Sequence, residues 1–402
     1  MRVVHVMPFF EPATQFGGPV AQLPLLLPHV ARRGVEISVV TTNAGCRGRV
    51  ATGRWIRRDG YRVWYAAVAA LAERPPFWCP SMRRPLRRAI ARADAVHACL
   101  SFTHSVLQSA WTARQFGKPY IYTPRGCLSP AHLAIKPRLK QAWSAVWERR
   151  IVCRAAALHA LTQEEIADVE SFCGKRVPAY QIPNAVEPFP VTDGMASDMT
   201  NKLAGFEMPA GRMILTLCSL QPIKRLDLLL QAVRRVAVSK PDVWLAIGGR
   251  DLGSRAEWET LASTLGLSER VLWLGHLDAD QKRAALNRAS LFALTSDAEG
   301  MPNAALEALS AGVPCVLTRG CRLPEVEAEG AGRVVGPDPE AIATGLHELL
   351  GDEDRLRSAR QRARRLAAQR FSPEAVADAV VRMYADLLER PTLSLAEAGP
   401  EP

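Results

Sequence analysis

In the stretch from Ser296 to Leu309, SDAEGMPNAALEAL, two carboxylates, Glu299 and Glu307, are separated by seven residues and follow directly on the apolar run Leu291-Phe292-Ala293-Leu294-Thr295. Such a run reads as a buried parallel strand. Asn303 can cap a helix ending near Gly312, and Pro314 then blocks its continuation. Gly300, Met301, Pro302 and Asn303 would lie at that helix N-terminus, whose unpaired N–H groups can bind a sugar hydroxyl or a phosphate oxygen. A carboxylate accepts two hydrogen bonds from a vicinal diol, and charge-assisted bonds are the stronger kind. The pair therefore suits a nucleotide-linked sugar. Taken alone, the two Glu are equally consistent with solvated surface carboxylates.

Other residues could serve the same chemistry. Lys224, in CSLQPIKRLDLLL, falls on a loop between a strand and a helix, where an ammonium can neutralise a diphosphate. Gly17 and Gly18 follow the first strand and precede a helical pattern, so the backbone there can approach a phosphate closely. Pro24 and Pro28 interrupt that pattern and predict a kinked or late-starting helix. Arg125, in TPRG, follows a strand; a guanidinium is no base at neutral pH, so phosphate or acceptor binding is its expected role. His97 and His104 flank another strand end, where a lone His is usually structural. No His, Asp and Glu cluster has metal-ligand spacing, and no metal is expected.

These residues need positioning elements. With 402 residues the chain is too long for one core, so two domains are expected. In the first half, strands are read at Val3–Met7, Val35–Thr41, Ala95–Cys99 and Tyr120–Thr123, with helices at Val20–Arg33, Val106–Phe116 and Leu139–Val152. The second half repeats the alternation with strands at Met213–Cys218, Val243–Ile247, Val271–Leu274 and Leu291–Thr295 and helices at Leu226–Ser239 and Gln281–Ala289. That is the punctuation of parallel sheets with helices on both faces. The expected domains are 1–190 and 205–374, joined by the Pro-rich stretch IPNAVEPFPVTDGMASDM, with a disordered tail at 392–402. Ligands of such sheets bind beyond the carboxyl ends of the strands.

Charge is uneven. Residues 1–190 carry 26 Lys and Arg against 11 Asp and Glu, a net of +15, which leaves −4 for the remainder. The basic half implies an anionic partner: a membrane surface, an anionic lipid-linked acceptor or nucleic acid. Two basic clusters stand out, Arg83, Arg84, Arg87, Arg88 and Arg92, and Lys136, Arg138, Lys140, Arg149, Arg150 and Arg154 around Trp143 and Trp147. Trp at that spacing with basic flanks suits either an interfacial helix or a core-facing pair. No apolar run reaches the roughly 18 residues of a membrane span, and the chain opens directly on a strand, so a cytoplasmic location is expected. Nine cysteines without Cys-x2-Cys pairs read as reduced, mostly buried side chains.

The segment EGMPNAALEALSAGVPCV resembles the Glu-x7-Glu signature of glycosyltransferase family 4, whose retaining enzymes have the GT-B fold. The stretches PYIYTPRGCLSPAHL, KPRLKQAWSAVWERR, LHALTQEE and IPNAVE are similar to enzymes that build exopolysaccharide or lipopolysaccharide. The resemblance implies an α/β protein of two Rossmann-like parallel-sheet domains facing a cleft, with residues 375–391 packing back on the first. It implies that Glu299 contacts the transferred sugar and Glu307 the ribose hydroxyls of a UDP- or GDP-linked donor, with no further cofactor. It places Glu299, Lys224 and Arg125 at the reaction, and Gly17, Gly18, Ser219, Arg225, Gly300, Met301, Pro302, Asn303 and Glu307 around the donor. The chain departs from the family in one loop. Where the family has an Arg five residues before the Lys and a Gly after it, this chain has Ser219 and Arg225, and Arg225 could either replace the missing Arg or point to solvent. The expected activity is transfer of a sugar, with retention, to a glycan or lipid-linked acceptor by a protein peripheral to the membrane's inner face. A catalytically weak scaffold subunit and a basic nucleic-acid binder are the alternatives; the chain has no recognised nucleic-acid motif.

Overall fold

The computed structural model describes residues 1–69, 72–190, 202–203 and 206–389. The chain divides into two compact units, one of Met1–Ala185 with Pro373–Pro402 and one of Val186–Ser372. Residues 191–199 of the expected linker and the whole expected tail, 392–402, lie outside the described residues.

The first unit runs β1 (Arg2–Val6), α1 (Gly18–Ala31), β2 (Glu36–Thr42), β3 (Trp55–Arg57), β4 (Tyr61–Ala66), α2 (Arg83–Ala91), β5 (Ala95–Cys99), α3 (His104–Gln115), β6 (Tyr120–Thr123), α4 (Pro130–Leu133), α5 (Pro137–Trp143), α6 (Arg149–Val152), β7 (Ala157–Ala160), α7 (Gln163–Cys173) and β8 (Ala179–Gln181). The second runs β9 (Lys202–Leu203), β10 (Phe206–Glu207), β11 (Arg212–Leu217), α8 (Leu226–Ser239), β12 (Val243–Gly248), α9 (Arg255–Thr264), β13 (Val271–Gly275), α10 (Ala279–Arg288), β14 (Leu291–Leu294), α11 (Asn303–Ser310), β15 (Cys315–Thr318), α12 (Glu325–Ala328), β16 (Gly332–Val335), α13 (Pro339–Leu350) and α14 (Glu353–Leu366). A last helix, α15 (Pro373–Glu389), belongs to the first unit.

The main sheets of the two units share a central strand order. The first sheet is ordered β3-β4-β2-β1-β5-β6-β7-β8 and the second β13-β12-β11-β14-β15-β16, all neighbours parallel except the β3–β4 pair. From its first strand each sheet grows one way and then the other, so its switch point lies between β1 and β5 in one unit and between β11 and β14 in the other. The central strands are buried along nearly their whole length, the pattern of a parallel sheet covered on both faces.

Three expectations are refined. Of the kinked or late-starting helix expected here, the late start is ruled out: α1 runs from Gly18 to Ala31 with Pro24 and Pro28 inside. Pro24 and Pro28 cannot donate to the carbonyls four residues earlier, and burial of Val20, Leu23, Leu27 and Val30 offsets the loss. α15 also packs along α1, where Arg33 Nε donates to the Asp378 carboxylate and Arg33 Nη2 to the Glu374 carbonyl. Second, the helix expected over Leu139–Val152 is present and unbroken from Pro137 to Val152, with a wider π turn at Ser144–Glu148 joining α5 to α6. Third, Asn303 is the first residue of α11 rather than its cap; Pro302 holds the cap position without a side-chain bond.

Candidate active site

Three loops meet at the carboxyl end of the second sheet. The loop after β11 carries Ser219 to Arg225, the loop after β14 carries Ser296 to Pro302, and the turn after β15 carries Arg319 to Cys321. They are tied by backbone and hydroxyl bonds: Asp297 N donates to the Ile223 carbonyl at 2.9 Å, and Glu299 N to the Gly320 carbonyl at 2.9 Å. Thr295 Oγ1 donates to the Arg225 carbonyl at 2.8 Å, and Thr318 Oγ1 to the Ser296 carbonyl at 2.8 Å. The approach at Gly320 is close. A Cβ there would lie 2.3 Å from the Ser296 carbonyl oxygen, so a side chain would push the loops apart.

This framework brings Lys224 and Glu299 together at the switch point. Lys224 Nζ lies 2.5 Å from Glu299 Oε1, and Ser296 Oγ donates to the same oxygen at 2.6 Å. Both charged side chains are about 13 to 14% exposed, shielded enough for their charges to act strongly yet open to a ligand. Gly300 to Pro302 lead into the N-terminus of α11, and Glu307 lies just over one turn along it. Glu307 is met by Lys282 of α10, whose Nζ lies 2.6 Å from Glu307 Oε1.

The loop's departure from the family falls in part on a left-handed backbone position. Position 225 has φ 48° and ψ 45°, the left-handed region that a Gly adopts without cost. Here Arg225 takes it and is braced by two carboxylates, Asp227 at 3.0 Å and Asp297 at 3.2 Å, the first of which chiefly raises its pKa. Ser219 Oγ accepts from Gln221 Nε2 at 3.0 Å. The thiol of Cys218, just after β11, is pushed up to about 12 by burial, so it stays protonated.

The remaining candidates lie in the first unit. Gly17 caps the start of α1 with φ 77°, and Gly18 is its first residue. Arg125 follows β6 in the left-handed region, φ 57°, and donates to Asn184 Oδ1. His97 and His104 both have hydrogen-bond partners within the first unit. His97 lies between Tyr384 Oη at 2.8 Å and Thr123 Oγ1 at 2.8 Å, and His104 Nδ1 accepts the Cys79 N–H at 3.1 Å. The tryptophan pair also faces inward: Trp143 and Trp147 are half-buried against the core, and Trp143 Nε1 donates to the buried Glu148 at 2.8 Å. What the hairpin of α4 to α6 exposes is Ile135, Leu139 and Val146 among Lys136, Arg138, Arg149 and Arg150.

Sequence reasoning passed over Lys282, Ser296, Asp227 and Asp297. Asp297 and Ser296 share the stretch of Glu299, and Asp227 that of Lys224; only Lys282 lay outside both. Among the described residues no group of three His, Cys, Asp or Glu is disposed to hold a metal.

The same chain matches two family descriptions, Glycosyl transferase 4-like domain over residues 17–185 and Glycosyl transferases group 1 over residues 207–366. It is 30% identical over 307 residues to a D-inositol 3-phosphate glycosyltransferase of Corynebacterium urealyticum, covering 73% of this chain and 72% of that one. The chain belongs to the group 1 glycosyltransferases. A D-inositol 3-phosphate glycosyltransferase of Mycobacterium tuberculosis is 25% identical over 406 residues, covering 96% of this chain and 82% of the other. Among solved structures, Anabaena Alr3699/HepE in complex with UDP and glucose superposes with a TM-score of 0.70 at 18% identity, covering 96% of this glycosyltransferase and 100% of that chain. Sucrose-phosphate synthase from Thermosynechococcus elongatus gives 0.73 at 19% identity, covering 96% and 98%. These likenesses give the enzyme the GT-B fold.

Proposed function

We propose that this glycosyltransferase moves a sugar from a UDP- or GDP-linked donor to a glycan or lipid-linked acceptor in cell-surface polysaccharide synthesis, with retention of anomeric configuration. The observation that carries the reading is the Lys224–Glu299 pair at the switch point of the second sheet, with Glu307 along the helix that starts beside it. In this reading Lys224 faces the donor diphosphate, Glu299 a hydroxyl pair of the transferred sugar and Glu307 the ribose diol. Negative charge grows on the departing diphosphate, and a fixed ammonium together with a helix N-terminus stabilises it. The acceptor hydroxyl attacks from the face the diphosphate leaves and gives its proton to a diphosphate oxygen. No protein base is then required. The solved structure of Alr3699/HepE with UDP-glucose supports a donor of this class.

Purified protein tested against a panel of UDP- and GDP-sugars should show its melting temperature raised by one of them, since a ligand of the native state stabilises it. Product from that donor should keep the donor's anomeric configuration by NMR. An inverted product would end the retaining assignment, and donor binding without transfer to any glycan acceptor would favour a scaffold role.

Peripheral attachment to an anionic membrane belongs to the same reading, supported by the exposed Ile135, Leu139 and Val146 set among basic residues. Among the described residues no helix is long and apolar enough to cross a membrane. Leu139→Glu should reduce sedimentation with vesicles containing phosphatidylglycerol. Equal sedimentation at low salt would remove the membrane from the reading.

A further inference from the structure

The first unit has an open surface pocket of about 380 Å³ lined by Glu11, Pro12, Arg49, Val50 and Arg58. Its residues come from the loop after β1, the loop after β2 and the turn between β3 and β4. Two of these follow the carboxyl ends of β1 and β2, and the third, with Arg58, precedes the amino end of β4, so the lining runs over the face of the edge strands. The volume is within the ordinary range of small-molecule sites and ample for one sugar ring.

The pocket is built from below. β4 supplies two tyrosines: Tyr65 Oη donates to the Glu11 carbonyl at 2.6 Å and Tyr61 Oη to Glu11 Oε1 at 3.3 Å. Burial raises both phenols, Tyr65 to about 12, so the hydroxyls keep the protons they donate. Arg58 Nε lies 3.2 Å from the same carboxylate. Glu11 is therefore held in place, and it balances Arg58. Arg49 is different. Its Nη2 donates to the Gly45 carbonyl at 2.6 Å, and among the described residues it has no carboxylate partner. The lining thus presents one uncompensated guanidinium, a second shared with Glu11, one carboxylate and an apolar wall of Pro12 and Val50.

That combination fits a particular chemistry. Guanidinium forks match carboxylate and phosphate oxygens, a carboxylate accepts from sugar hydroxyls, and apolar side chains suit the C–H face of a pyranose. We propose that this pocket is a subsite for an acidic sugar unit of the acceptor, one that bears a carboxylate or a phosphate, with Arg49 taking the anion and Glu11 neighbouring hydroxyls. The proposal rests on the transferase reading above and adds to it the charge of the acceptor.

The test titrates the full-length protein with glucuronic acid, glucose 6-phosphate and glucose, followed by NMR, with nucleotide-sugar binding measured on the same samples. At least one anionic sugar should bind tenfold or more tightly than glucose, and the comparison of the two tells carboxylate from phosphate. Arg49→Gln should abolish that preference while donor binding is unchanged. Arg88→Gln, which removes the same charge on α2, should leave the preference intact. Equal binding of all three sugars, or a preference that survives Arg49→Gln, would overturn the proposal. With donor bound and no preference for an anion, the subsite alone fails; with no donor bound by wild type, the transferase reading fails first.

Discussion

The two units share a central strand order and treat their switch points in opposite ways. In the second unit, the switch point between β11 and β14 ends in loops crowded with paired charges, Lys224 with Glu299 and Arg225 with Asp227 and Asp297. In the first, β1 and β5 pair His5 directly with His97, and both rings bond the phenol of Tyr384 from α15, at 3.0 and 2.8 Å. His159 of β7 continues the chain, with Nδ1 3.3 Å from His97 and Nε2 3.0 Å from the Ile182 carbonyl. One central strand order therefore serves two ends: charges at the loops that can meet an anion, and neutral rings that lock a distant helix onto a sheet.

The largest effect should follow from breaking the charged side. Lys224→Ala removes the ammonium expected to face the leaving diphosphate, and loss of one such preorganised group typically costs about 100- to 1000-fold in turnover. Transfer should fall by that order when assayed well below the variant's melting temperature, which itself drops because the shielded Glu299 loses its ammonium. Turnover within a few-fold of wild type would move the diphosphate away from this loop.

The neutral side should break with acid. Burial first, and Arg125 second, hold His5 and His159 to about 3, and burial with the neighbouring histidines holds His97 well below its ordinary value. The folded values lie below the unfolded value of 6.5, so the unfolded chain binds more protons in acid. Their stability contribution is fully present above pH 6.5 and is lost as pH falls toward 3. The unfolded rings are only half protonated at pH 6.5, so each loses about 1 kcal/mol rather than the full ~1.4 down to pH 5.5, and three rings lose on the order of 3 kcal/mol. Denaturant unfolding at those two values measures it, and equal stability would show that the rings are not buried neutral. Tyr384→Phe should also destabilise, by about 1–3 kcal/mol for each ring nitrogen left unpaired, without altering donor affinity.

A third test concerns recognition. Glu307→Ala should weaken nucleotide-sugar binding tenfold or more, the worth of a lost charge-assisted contact of about 1.5–3 kcal/mol. Lys282→Ala should change it less, because its ammonium only pairs with Glu307 in the unliganded site. Equal losses in calorimetry would give Lys282 a direct place on the nucleotide.

How much of this could be read beforehand follows the same division. The strands Ala95–Cys99 and Tyr120–Thr123 and the helix Leu226–Ser239 have the bounds expected from their apolar runs, because turn residues and charges bracket them closely. The charged site was legible for a related reason: Glu299 to Glu307 lie in one contiguous stretch. The Tyr384–His5 contact joins residues 379 apart, and nothing local in either segment announces it. Trp143 was ambiguous because an amphipathic pattern does not say which face is wet; the buried acceptor Glu148 decides it. Position 225 needed the backbone, since only its positive φ explains why the family's Gly fits there.

The smallest effect should come from that position. Arg225 in the left-handed region stores on the order of 1 kcal/mol of strain, which Arg225→Gly would relieve. The same change loses two half-exposed ion pairs, each worth up to about 1 kcal/mol, and gives the unfolded chain more freedom. These terms nearly cancel, so stability should shift by less than about 1 kcal/mol. Donor affinity separates the two roles open to the residue. If Arg225 only braces the 296–299 loop through Asp297, Arg225→Gly leaves the Kd of the nucleotide sugar within about threefold, and Ser219→Arg, which restores the family's cation, tightens it. If Arg225 instead swings from Asp227 and Asp297 onto the diphosphate, Arg225→Gly weakens binding tenfold or more and Ser219→Arg rescues it in the double variant. The second pattern would mean that the ion pairs seen at this switch point are a resting arrangement, and that the contrast with the locked histidines of the first unit is one of mobility as well as charge.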